Sequence, residues 1–124
     1  MTKQVLVVDD DQLMHRLFQH HLERAGYQML SATNGREALE IATRQVPQLI
    51  VMDVMMPDID GLAALRELKK TDATKKIPVI VITANSHHLT RKESESCGAA
   101  IFLTKPFSPT QLLNEIRRLV PASN

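Results

Sequence analysis

Asp53 ends an apolar run, Leu49-Ile50-Val51-Met52, where a carboxylate is costly unless it is paired or metal-bound. Asp9, Asp10 and Asp11 end a second run, Val5-Leu6-Val7-Val8. Thr83 follows a third, Val79-Ile80-Val81-Ile82, and Thr104-Lys105-Pro106 follows a fourth, Ala99-Ala100-Ile101-Phe102-Leu103. Side by side in one sheet, these ends would gather several carboxylates, a hydroxyl and an ammonium. Two carboxylates about 4 Å apart repel by roughly 4 kcal/mol at an effective dielectric near 20. A hard divalent cation relieves that repulsion. Magnesium favours sites with one or two carboxylates, several waters and a substrate phosphate. A carboxylate can also attack phosphorus and form an acyl phosphate. Magnesium and a lysine would then neutralise the transferring oxygens. Asp11 directly precedes a helical pattern and reads as the N-cap of that helix.

The elements that must position these groups are legible too. The four runs do not alternate with polar residues, as expected of parallel strands covered on both faces. A fifth, more polar run, Tyr27-Gln28-Met29-Leu30-Ser31-Ala32, reads as an edge strand. Helical spacing appears in between. Leu13, Leu17, Phe18 and Leu22 form one stripe, with Gly26 where a C-terminal cap belongs. Asn34 and Glu37 open a second helix carrying Ala38, Leu39, Ile41 and Ala42. Leu62, Leu65 and Leu68 mark a third after Gly61, and Thr90 opens a short fourth. Ser108, Pro109 and Gln111 cap a fifth carrying Leu112, Leu113, Ile116 and Leu119. Strand and helix alternate five times, which predicts an α/β fold with a parallel sheet and helices on both faces. Such sheets bind ligands at the carboxyl ends of their strands.

The 124-residue chain suits one domain, expected over 1–124 with its core at 4–120. A formal net charge of +1 argues against a general nucleic-acid binder. Cys97 is the only cysteine, so no internal disulfide is possible. Neither a leader nor a membrane span is visible, and a cytoplasmic location is expected. Asp58, Asp60, Gly61 and Glu67 fall at calcium-loop offsets, but Met56 stands at the first ligand position, so the match reads as coincidence. His15, His20, His21, His87 and His88 read as solvated, and the methionines as core or loop filler.

Taken together, the motifs resemble the receiver domain of two-component response regulators. They are the Asp9-Asp10 pair, the block Asp53-Val54-Met55-Met56-Pro57-Asp58-Ile59-Asp60-Gly61, the Ile82-Thr83-Ala84 strand end and Lys105-Pro106-Phe107. The similarity runs from Val5 to Leu119. It implies a flavodoxin-like (βα)5 fold with strand order 2-1-3-4-5. It implies that Asp53 accepts a phosphoryl group, and that Asp9, Asp10, Asp53 and the Met55 carbonyl bind Mg2+. Thr83 would hydrogen-bond one phosphoryl oxygen and Lys105 would pair with another, its bond to Pro106 being cis. Phe102 takes the place of the switch aromatic. Asn85 and Met55 stand where the family tunes dephosphorylation.

The implied donor is a histidine kinase or phosphotransfer protein, and the implied reader is a downstream protein target or output domain. The domain would catalyse only its own phosphotransfer and dephosphorylation. One departure is the apolar Ala100-Ile101 after Gly98-Ala99, which raises the expectation of a docking or homodimer face on helix four, strand five and helix five. Since no output domain follows Asn124, output is expected through protein contact, without direct nucleic-acid or membrane binding. The alternatives are a receiver fragment of a larger regulator or hybrid kinase, and a Mg-dependent aspartyl-phosphate phosphotransferase. The latter usually has a second acid where this chain has Met55. A flavodoxin-like binding module would need a phosphate loop in place of Asp9-Asp10-Asp11.

Overall fold

The computed structural model describes residues 2–53, 61–83, 99–104 and 108–122. Its five strands are β1 (Lys3–Val8), β2 (Tyr27–Ala32), β3 (Leu49–Asp53), β4 (Val79–Thr83) and β5 (Ile101–Thr104). They form one sheet in the order β2-β1-β3-β4-β5, and every neighbouring pair is parallel. The more polar β2 lies at an edge, as its composition requires. The helices are α1 (Gln12–Arg24), α2 (Gly35–Gln45), α3 (Gly61–Lys70) and, at the C-terminus, α4 (Pro109–Leu119). The fourth helical pattern of the sequence, opening at Thr90, lies outside the described residues.

Side chains of a strand alternate between the two faces of its sheet, and the core divides accordingly. Leu6, Val8, Ile50, Met52, Val79 and Val81 meet Ala38 and Ala42 of α2 and Ala64, Leu65 and Leu68 of α3. Val5, Val7, Leu49, Val51, Ile80, Ile82 and Leu103 meet Phe18 and Leu22 of α1 and Leu112 and Ile116 of α4. Fully burying one such Leu or Ile contributes about 1.5–3 kcal/mol. Layers on both sides explain why these strands carry no polar alternation.

Side-chain caps fix where the helices begin. Asp11 Oδ1 accepts the Leu13 amide at 2.9 Å, Asn34 Oδ1 the Glu37 amide at 2.9 Å and Ser108 Oγ the Gln111 amide at 3.0 Å. Gly26, at φ +94°, follows the Ala25 cap of α1. The cap of α2 is Val46, whose φ of 46° is left-handed and uncommon for a β-branched residue. Between α3 and β4, buried Thr74 donates its hydroxyl to the Leu68 carbonyl at 2.6 Å, and Lys69 Nζ donates to the Ile77 carbonyl at 2.7 Å.

Three expectations change. Leu13 and Leu17 are 71% and 41% exposed, so only Phe18 and Leu22 of that stripe face the core. The strand begins at Ile101, not Ala99. Of the apolar pair Ala100-Ile101, Ile101 is half-buried against a core cluster while Ala100 is exposed, so only part of that apolar character serves packing within the chain.

Candidate functional site

Strand register decides which acids meet. Val8 lies opposite Met52, so Asp9 and Asp53, the next residues, end neighbouring strands. Such strands run ~4.8 Å apart. By alternation Asp53 continues the row of Leu49 and Val51, on the face covered by α1 and α4. Asp53 is 6% exposed and Asp9 4%. Asp9 Oδ1 accepts the Asp11 amide at 2.9 Å, and the Asp9 amide donates to the Ala32 carbonyl at 3.1 Å. Asp10 is exposed. Asp11 caps α1, as the sequence indicates.

The same end of the sheet carries the close of β4 and β5. Asp53 is opposite Ile82, and the backbone of Thr83 closes β4 one residue further, opposite Thr104. Phe102 lies within β5 opposite Val81. Met55, Lys105 and Pro106 lie outside the described residues, as do Asn85, His87, His88, Cys97 and most of the calcium-loop match.

One residue at this end was not anticipated. His15 of α1 is buried, 8% exposed, and its Nε2–H donates to the Asp9 carbonyl at 2.5 Å. Its buried Nδ1 has no hydrogen-bond partner among the described residues. The reading of every histidine as solvated therefore fails here. The available signal was spacing: His15 precedes Phe18 and Leu22 by three and seven residues, on the buried stripe. His20 is exposed and His21 half-buried, stacked edge-to-face at 5.3 Å.

Around the rim, the Glu37 carboxylate accepts the Thr33 amide at 2.7 Å and its hydroxyl at 2.5 Å. The Thr33 hydroxyl and amide hold the Glu37 carboxyl below the usual carboxylate range, and the charge of nearby His15 adds to the effect. Leu13, exposed on the first turn of α1, stands two residues after Asp11, with Leu17 one turn further.

The donor set at the strand ends is hard oxygen: the buried carboxylates of Asp9 and Asp53, with Asp10 adjacent. Among the described residues no group of three or more His, Cys, Asp or Glu side chains could by itself hold a metal ion. A pair of carboxylates completed by water and a substrate oxygen suits magnesium, which rarely takes an all-protein cage. The residues present fit that ion and do not fit a soft metal.

Comparison with known proteins agrees with this geometry. Residues 5–117 match the family model described as the response regulator receiver domain. The chain is 35% identical over 123 residues to the alkaline phosphatase synthesis transcriptional regulatory protein PhoP of Bacillus subtilis, covering 99% of this chain and 50% of PhoP. The chain spans about half the length of the first curated relatives it matches. Among solved structures it is similar to the chemotaxis response regulator CheY4 of Vibrio cholerae, with a TM-score of 0.88, 31% identity, and coverage of 97% of this chain and 100% of that one. It is also similar to the receiver domain of the sensor histidine kinase PA1611 of Pseudomonas aeruginosa, with a TM-score of 0.86 and 28% identity over 96% of this chain and 98% of that one. That receiver was crystallised with a magnesium ion coordinated in its active-site cleft.

One expectation loses support. Relatives of about twice this length are named transcriptional regulators, so the exclusion of nucleic acid does not stand. Near-zero net charge describes this stretch of chain alone. Among the described residues no helix is long and apolar enough to cross a membrane.

Proposed function

We infer the function from one premise: the chain belongs to the response regulator receiver domain family of two-component signal transduction. It is a signalling domain, and its switch is phosphorylation of Asp53. The observation that carries this reading is the burial of Asp9 and Asp53 side by side at the carboxyl ends of β1 and β3. Two buried carboxylates in that position call for a cation, and Asp53 ends its strand where a ligand can reach it.

Asp9, Asp10 and Asp53, with the Met55 carbonyl, would hold Mg2+. When bound, the ion supplies neutralisation of charge on the phosphoryl oxygens. An Asp53 oxygen forms the new bond to phosphorus as the P–N bond to a donor phosphohistidine breaks, and the imidazole leaves carrying a proton. Thr83 and Lys105 take the remaining phosphoryl oxygens. The added charge of about 1.5 to 2 units then favours one arrangement of Thr83 and Phe102 over another. Turnover is limited to the domain's own phosphorylation and dephosphorylation.

The donor is a histidine kinase or phosphotransfer protein, and exposed Leu13 and Leu17 beside the acidic end offer it an apolar foothold. The reader is a protein target or an output domain, the domain itself spans 1–124, and the setting is the cytoplasm. Incubation with acetyl phosphate tests the site. Intact mass should rise by one phosphoryl group only when magnesium is present, and Asp53→Asn should abolish the gain. Labelling that persists in Asp53→Asn overturns the assignment.

A further inference from the structure

We propose that His15 is a positioning residue for the acidic site, acting through the backbone of Asp9; this rests on the metal reading above. A carbonyl can only accept, so the 2.5 Å contact fixes His15 with its proton on Nε2, pointing at the Asp9 carbonyl. The ring is nine-tenths buried and reaches from the second turn of α1 back to the residue that leaves β1. Among the described residues nothing else takes up its polarity, since Nδ1 has no partner there. A simple core position would favour an apolar side chain, since a buried unpaired nitrogen is unfavourable.

The consequence follows along the chain. Asp9 is held at its amide by Ala32, at its carbonyl by His15 and at its carboxylate by the Asp11 amide. These bonds set the peptide plane between Asp9 and Asp10, and hence the directions of both carboxylates. Groups that orient a ligand from behind in this way alter metal affinity by about tenfold to a hundredfold when removed.

The test uses three variants and two readouts. Gln places an amide nitrogen where His carries Nε2, Asn places one where His carries Nδ1, and Leu removes the donor while keeping bulk. The first readout is exchange of the Asp11 amide in the metal-free protein, followed by NMR. The second is the Mg2+ dissociation constant from amide shifts. In His15→Asn and His15→Leu, Asp11 exchange should quicken at least about fivefold, since opening at this loop becomes local. The Mg2+ constant should weaken at least about tenfold. His15→Gln should stay within about threefold of the parent in both.

Unchanged Asp11 exchange in His15→Asn overturns the proposal, and so does failure of His15→Gln to restore it. Should His15→Leu fail to fold, the Gln and Asn pair decides alone. A parent protein that binds no Mg2+ overturns the metal reading instead, and Asp11 exchange still judges the role of His15.

Discussion

Replacing Asp53 by Asn should stabilise the metal-free protein and weaken its response to magnesium. Asp9 and Asp53 are buried at the ends of neighbouring parallel strands. With strands ~4.8 Å apart, unit charges at about 5 Å repel by roughly 3 kcal/mol at an effective dielectric near 20. The Asp11 amide on Asp9, with the other contacts that Asp9 and Asp53 make, offsets part of this, so a gain of at most about 1–2 kcal/mol is expected from removing one charge. Urea unfolding in EDTA at pH 7 reads it directly. With a slope of roughly 2 kcal/mol per molar, the midpoint should rise by about half to one molar. Magnesium at a hundred times its dissociation constant then adds about 2.7 kcal/mol to the parent. Asp53→Asn, short of one ligand, gains less, so the order of stability inverts when the ion is added. Asp53→Asn less stable than the parent in EDTA, with neither responding to magnesium, would refute the reasoning from buried like charges.

Leu13→Asp with Leu17→Asp should slow phosphotransfer from a protein donor at least about tenfold while leaving acetyl phosphate labelling within about twofold, because only a protein partner needs exposed apolar area; parallel rate measurements with the two donors check this. Buried Tyr27 donates its hydroxyl to the Val120 carbonyl at 2.6 Å, and burial raises its pKa against a smaller lowering by Arg117. The neutral form is therefore favoured by folding, so this contribution is complete below the ordinary tyrosine pKa near 10 and is lost as pH rises through the raised folded value. Tyr27→Phe should cost about 1–3 kcal/mol at pH 7 and flatten the alkaline fall in a pH series of urea melts. Val46→Asn should raise stability by about 0.5–1.5 kcal/mol in the same melts, since Asn tolerates the left-handed cap and Val46 is 46% exposed.

Apolar runs and caps determined much of this protein. The unbroken run Leu49-Ile50-Val51-Met52 announced a strand covered on both faces, and Asn34 and Ser108 announced helix starts; these are local signals, written in neighbouring residues. The family motifs added the strand order, which the sheet bears out. Other features belong to pairs far apart in sequence. That Asp9 stands beside Asp53 depends on the register of β1 against β3, and a shift of one residue would separate them. That Leu13 faces solvent while His15 faces the core depends on how α1 is turned on the sheet, and helical spacing alone allowed both. The Asp9 carbonyl needed a donor once the chain left β1, and the donor comes from a helix whose place is set by Phe18 and Leu22. Residue types could name the acids; only packing could show what holds them.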